Sequence, residues 1–353
     1  MVASVALAAA VVLCLSTSTT LAYQVSMQRL LTSPILSSAN SPYDYNFNAA
    51  YLPLVGGNVS GIPIDCLAVR VQNIVGVQVP SKIAIFCESG DRQTFSRDPY
   101  VVIDPSQSPA QADGCEDPRV VLLPDGKTLI MLYSAVNLVP NAARSKLSLA
   151  SCNTAIDPQC RSWELHGAIF PNIFWSKSGA ILIRPEGAPH FLFWGDTNIS
   201  IATTTNFYNF TDTATFVVST RSDFFDSALV EAGPPPLQLS DGNHIFLYNS
   251  ARVSSIPNPK PGWDLEYNVG YVIVNASLKD STLPVVVERS SSPIFSPVLG
   301  WELCDTANMV PGQTPLVVFV EGAKPLPGVP NSFLVYYQGC DTSLGVALLH
   351  VDV

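Results

Sequence analysis

The chain has 353 residues, and its 28 acidic against 18 basic side chains give a formal net charge of −10. That balance disfavours a nucleic-acid partner, because affinity for a phosphate backbone comes from Lys and Arg. A neutral or weakly polar ligand fits better; no Cys-x-x-Cys pair occurs, and the cysteines are uninformative about a metal.

The stretch from Val2 to Leu21 is almost wholly apolar or small and closes on Thr20-Leu21-Ala22. It predicts a secretion signal over residues 1–22 and an extracellular domain over 23–353. No later run reaches the ~18 apolar residues of a membrane span. Cys14 leaves with the signal, and the seven remaining cysteines are odd in number, so at least one thiol is free or pairs with another chain. Cys152 and Cys160 bracket a loop containing Asp157-Pro158 and are the expected disulfide; the other pairings stay open. Asn58, Asn198, Asn209 and Asn275 are Asn-x-Ser/Thr acceptors for N-glycosylation.

Strand signals dominate the rest of the chain. Short β-branched and aromatic runs occur at 82–86, 120–123, 129–133, 180–184, 190–194, 244–248, 270–274, 315–320 and 333–337, punctuated by Gly, Pro, Asn and Asp. The 29 prolines argue against long helices. Two segments look like copies of one unit: 191–202 and 333–347 each read as a strand ending in aromatics, then Gly and Asp-Thr, then a second apolar strand. Weaker copies lie at 130–134 with 147–150, 245–249 with 271–274, and 66–70 with 83–86. Five such units predict an all-β, five-bladed β-propeller; the alternative is a large β-sandwich, which needs no repeats.

Polar residues cluster at few places. Gly114-Cys115-Glu116-Asp117-Pro118-Arg119 packs four charged or rigid positions into a charge-poor chain. Strand alternation puts Asp117 and Arg119 on one face and Glu116 on the other, and Pro118 demands an edge or a strand start. The segment is either a polar loop with a buried ion pair or the acid end of an active site. Glu231 is delivered by an apolar run onto Gly233-Pro-Pro-Pro236, as a surface loop or as a second carboxylate. Glu302 follows Trp301, and Asp341 ends a repeat strand. Trp301, Tyr337 and Trp194 are either core or sugar-stacking faces. Two carboxylates across a cleft can act as general acid and base on a glycosidic bond, provided one stays protonated.

In order along the chain, Phe47-Asn48-Ala-Ala50, Arg70, Gly114-x-Glu-Asp-Pro-Arg119, Lys177-Ser-Gly-Ala-Ile-Leu182, Asp226-Ser, Glu231-x-Gly-Pro-Pro-Pro236, Gly300-Trp-Glu302, Val317-Val-Phe319 and Tyr336-Tyr-x-Gly-x-Asp341 resemble the motifs of glycoside hydrolase family 130. That family comprises five-bladed propellers that are β-mannoside phosphorylases and β-mannosidases. The resemblance implies a β-mannoside oligosaccharide or glycan as substrate and no cofactor. It implies Asp117 as the acid, with Glu231 and Glu302 as candidate bases. Asn48, Arg70, Arg119, Asp226, Trp301 and Asp341 are then expected around the sugar. A phosphorylase needs inorganic phosphate as co-substrate, and Arg144, Lys177 and Asn249 are the candidates to hold it. Asn249 stands in Tyr248-Asn249-Ser250, where the family's phosphorylases carry a histidine. Losing that charge weakens an anion site, so the expectation favours hydrolysis with inversion over phosphorolysis. A non-catalytic carbohydrate-binding or wall protein on the same scaffold is the third reading.

Overall fold

The computed structural model describes residues 23–59, 62–75, 77–78, 80–89, 95, 98–138, 144–255, 264–304 and 314–353. The expected signal segment and the Asn58 side chain lie outside the described residues.

Five antiparallel sheets form a five-bladed β-propeller. The first blade runs Tyr45–Leu52, Cys66–Gln72, Lys82–Cys87 and Tyr100–Ile103, from the inside outward. The second is Gly114–Leu122, Thr128–Asn137, Arg144–Asn153 and Glu164–Ala168, and the third is Gly179–Leu182, His190–Trp194, Ile199–Thr204 and Thr211–Val218. In the fourth, Leu229–Ala232 and Leu237–Gln238 share the inner position, followed by His244–Val253, Leu265–Asn275 and Val285–Arg289. The fifth joins both ends of the chain. Val318–Pro325, Ser332–Gly339 and Ser343–Asp352 are completed by Gln24–Arg29, which pairs from Gln24↔Asp352 to Arg29↔Ala347.

The five repeats are the two central strands of the five blades. Alternation explains why those runs are apolar without a break. In Thr128–Asn137, Leu129, Met131 and Tyr133 enter the core shared with blade 1. Ile130 and Leu132 enter the core shared with blade 3. Both faces of every sheet are covered in this way, because one apolar cluster fills each of the five gaps between neighbouring blades.

The inner strands of blades 1, 2 and 5 contact one another around the axis. Each carries a register slip there: between Phe47 and Ala49, between Glu116 and Arg119, and between Val320 and Gly322. These β-bulges insert one extra residue and re-aim the side chains beside it. The alternation expected for 116–119 fails for this reason. Asp117 adopts φ 54°, and Glu116 and Asp117 both turn toward Arg70.

Candidate active site

At the axis, the bulges and strand ends converge on a cavity of about 140 Å3, well below the ~300 Å3 of a drug-sized pocket and suited to one small polar ring. Its polar lining includes Asn48, Arg70, Asp117, Lys177, Glu231 and Asp341; Tyr267, Val317 and Phe319 supply apolar wall. Asn48, Asp117 and Asp341 all sit at positive φ, 47°, 54° and 53°. Such backbone is costly for residues other than glycine and persists where surrounding structure enforces it.

Charge is concentrated around Asp117. Arg70 donates from Nη1 to Asp117 Oδ1 at 2.8 Å, from Nη2 to Glu116 Oε1 at 2.6 Å and from Nε to Ser81 Oγ at 3.1 Å. Its guanidinium lies 4.4 Å above the Phe47 ring. Lys177 Nζ stands 3.4 Å from Asp117 Oδ2. Burial alone would push the Asp117 carboxyl up, but Lys177, Arg70 and Arg119 together hold it at about 2. Glu231 has fewer such neighbours. Burial pushes it up to about 7 against the pull of Lys177 and Arg119, with Asp117 adding to the rise. Its Oε1 accepts a hydrogen bond from Ser178 Oγ. Lys177, half-buried, is held above its ordinary value by Asp117, Glu231 and Glu116. At neutral pH, then, Asp117 is ionised, whereas Glu231 holds its proton far more firmly.

Several expected site residues lie elsewhere. Glu302 is fully buried and accepts from Arg29 Nε and Nη2 at 2.7 Å each, from Tyr337 Oη at 3.0 Å, and from the Val298 and Leu299 amides. With every acceptor position occupied, it clips the chain-closing strand to the fifth blade and cannot serve as a base in the pocket. Trp301 stacks on Tyr337 and donates its indole N–H to Thr32 O at 3.0 Å. Asp226 is buried between Arg221, Arg289 and Tyr248 Oη. Asn249 brackets the Val320 peptide, donating to its carbonyl at 3.0 Å and accepting from its amide at 2.7 Å. Arg144 is exposed at the strand end opposite Asn137. Arg119 is 2% exposed and spends its donors on the carbonyls of Asp117, Ala232 and Gly233, so it holds backbone instead of ligand.

Sequence reading passed over Ser178, Tyr267, Thr314 and Gln338, which surround the same cavity or its carboxylates. It also passed over Glu321, a buried carboxylate behind Asn48. The one available signal was Glu321's place as a lone charge ending the apolar run 315–320.

Among the described residues the other bridges are Cys66–Cys87 and Cys304–Cys340, beside the expected Cys152–Cys160, and Cys115 is the buried free thiol. Among the acceptor asparagines, Asn209 is exposed, whereas the Asn275 amide donates to Asn243 Oδ1 at 2.9 Å.

Comparison with known proteins agrees with this architecture. A family model described as beta-1,4-mannooligosaccharide phosphorylase, glycoside hydrolase family 130, matches residues 80–353. A 1,2-beta-oligomannan phosphorylase from Thermoanaerobacter sp. (strain X514) is 28% identical over 240 residues, 67% of this chain and 69% of the relative. A beta-1,2-mannobiose phosphorylase from the same organism is 27% identical over 246 residues, 69% of each chain. Among solved structures, the beta-1,2-mannobiose phosphorylase of Listeria innocua in complex with beta-1,2-mannobiose shares the fold. Its TM-score is 0.69 at 18% identity, covering 91% of this chain and 96% of that one. With the family model spanning most of the chain and the propeller in place, the protein belongs to glycoside hydrolase family 130 and is a glycoside phosphorylase or hydrolase.

Proposed function

We propose that this enzyme cleaves the terminal linkage of β-linked mannosides with inversion, transferring the mannosyl unit to inorganic phosphate. The observation that carries the reading is one small polar pocket lined by three carboxylates, of which Asp117 and Glu231 have proton affinities driven apart, together with two cations. Such a separation assigns acid and base roles. Glu231 keeps the proton that the leaving oxygen needs. Asp117, ionised, faces the positive charge that grows on the sugar ring. A phosphate oxygen bonds to the anomeric carbon as the glycosidic C–O bond breaks, and the departing oxygen takes the proton from Glu231. Lys177 and Arg70 supply positive charge for the phosphate, while Asn48 and Asp341 meet sugar hydroxyls. The family description and both Thermoanaerobacter relatives, phosphorylases by name, support phosphate as acceptor, and their names make β-1,2-mannobiose the first substrate to try.

A second reading, hydrolysis, is favoured by one observation. Two of the three residues expected to hold phosphate, Arg144 and Asn249, stand outside the pocket. Water then replaces phosphate, with Asp117 as its base. Incubation with β-1,2-mannobiose decides between them. Phosphate-dependent release of mannose 1-phosphate supports phosphorolysis, and equal release of free mannose without phosphate overturns it. We further propose that the protein works outside the cell, a reading supported by its three disulfides, and that Asn209 carries a glycan.

A further inference from the structure

Three inner strands bulge at the axis. Two of these bulges bring Asn48 and Asp117 to the pocket; the third holds Glu321 directly behind it. Glu321 Oε1 accepts from Asn48 Nδ2 at 2.9 Å and lies 3.3 Å from Arg119 Nη2. Arg119 in turn donates to Asp117 O at 3.0 Å, Ala232 O at 2.6 Å and Gly233 O at 3.1 Å. One carboxyl therefore links Asn48 of blade 1, the Asp117 backbone of blade 2 and the peptide that follows Glu231 in blade 4. The neighbouring Gly322 fixes this junction, since a Cβ there would meet Ala49 O at 2.4 Å. Blades 1 and 5 touch backbone to backbone at that point.

We infer that Glu321 is a positioning residue for bond cleavage: through Asn48 and Arg119 it sets the placement of Asp117 relative to Glu231 across the pocket. The inference rests on the pocket being the site of β-mannoside cleavage. Glu321 is 1% exposed, and its Oε2 is buried with no hydrogen-bond partner. A charge there would face no donor on that side, so the carboxyl carries its proton and acts by shape and hydrogen bonding. Burial first, then Asp117 and Glu231, push it well above the carboxylate range; Arg119 and Asn48 oppose them.

The test compares Glu321→Gln and Glu321→Met in the full chain, by thermal unfolding and by kcat/KM on β-1,2-mannobiose across the pH range around Glu231's titration. Gln preserves the carbonyl oxygen that Asn48 and Arg119 both meet. Its rate is expected within about threefold of wild type, with the Glu231 limb unmoved. Met fills the volume but bonds neither neighbour. It is expected to fold, to lose at least about tenfold in kcat/KM, and to displace the limb by more than about half a pH unit. A folded Met variant with wild-type rate and limb overturns the inference. So does a Gln variant whose limb falls by more than about half a unit, because that marks an ionised Glu321 acting through its charge. If Met does not fold, the Gln result decides alone. If the wild type cleaves no β-mannoside, with or without phosphate, the functional reading itself has failed. Mannose binding by calorimetry then makes the same comparison, with affinity kept in Gln and lost in Met upholding the positioning role and equal affinities overturning it.

Discussion

Asp117 and Glu231 are equally deep in the protein, yet their titrations are separated by what faces them. Lys177 and Arg119 act on both, but Arg70 bonds Asp117 directly, whereas among the described residues Glu231 accepts from the Ser178 hydroxyl. If Glu231 delivers the proton, kcat/KM falls as pH rises through about 7, and that limb disappears in Glu231→Gln. A rising limb would instead make Glu231 the base. The same residue links pH to stability. Unfolded, it titrates near 4.5; folded, near 7. Between these values the folded state holds the extra proton, so stability falls as pH rises. Above pH 7, chemical denaturation is expected to find Glu231→Gln more stable than wild type by up to about 3 kcal/mol. Asn249→Ala separates the expected phosphate role from the observed one. It orphans the Val320 amide and carbonyl, so about 2 kcal/mol of stability should be lost, while the KM for phosphate stays within about twofold of wild type. Sequence marked Asp117, Glu231 and Asp341 because a carboxylate beside an apolar run is conspicuous in a charge-poor chain, and Lys177 through its family motif. It could not tell them from Asp226 and Glu302, since a buried carboxylate paired with arginine leaves the same trace as one facing a ligand.

At the level of single strands, the legible part was whatever is buried on both faces. Runs such as 190–194 and 333–337 have cores on each side, and no other element produces so unbroken an apolar signal. Outer strands cover one face only. Thr211–Val218 and Val285–Arg289 are largely exposed or half-exposed along their length, and their mixed composition hid them. The closing strand Gln24–Arg29 was hidden for another reason, because its partner lies at the far end of the chain. Bulges were also beyond reach, since alternation assumes regular pairing and one extra residue reverses every assignment after it. The closing strand is fastened by Arg29, whose guanidinium grips Glu302, donates to Ser296 O at 2.6 Å and lies 4.0 Å from the Phe295 ring centroid. Glu302→Ala would leave that arginine partly buried without its carboxylate, at a cost of about 3 kcal/mol. Denaturant melting should show the loss, and kcat/KM of the folded variant should stay within about twofold of wild type. A collapse of kcat/KM in a stably folded Glu302→Ala protein would return this residue to the active site.

For the molecule as a whole, a ring of blades has as many interfaces as blades, so every sheet is supported on both sides only when the ring is closed. The pairing of Gln24–Arg29 with Ser343–Asp352 supplies that closure and makes the pocket depend on residues far apart in sequence: Asn48 from the first blade and Asp341 from the last line one cavity. Disulfides reinforce the same organisation. Cys66–Cys87 staples adjacent strands within blade 1, and Cys152–Cys160 closes a short loop of blade 2. Cys304–Cys340 spans 36 positions and ties the turn after Glu302 to the residue before Asp341. A longer loop loses more freedom in the unfolded chain when it is closed, so this bridge is worth about 4 kcal/mol against about 2.5 for Cys152–Cys160. It is also the bridge next to the pocket, because Cys340 precedes Asp341, which lines the cavity; both residues sit at positive φ, a conformation that surrounding structure must hold in place. Replacing Cys304 and Cys340 with Ala should therefore lower the melting temperature more than replacing Cys152 and Cys160. It should also raise the KM for the mannoside, which the Cys152/Cys160 pair should leave unchanged. Equal losses of stability in the two double variants would show that the closure entropy of the longer loop is not what this bridge contributes. An unchanged KM would show that Asp341 keeps its place without the bridge.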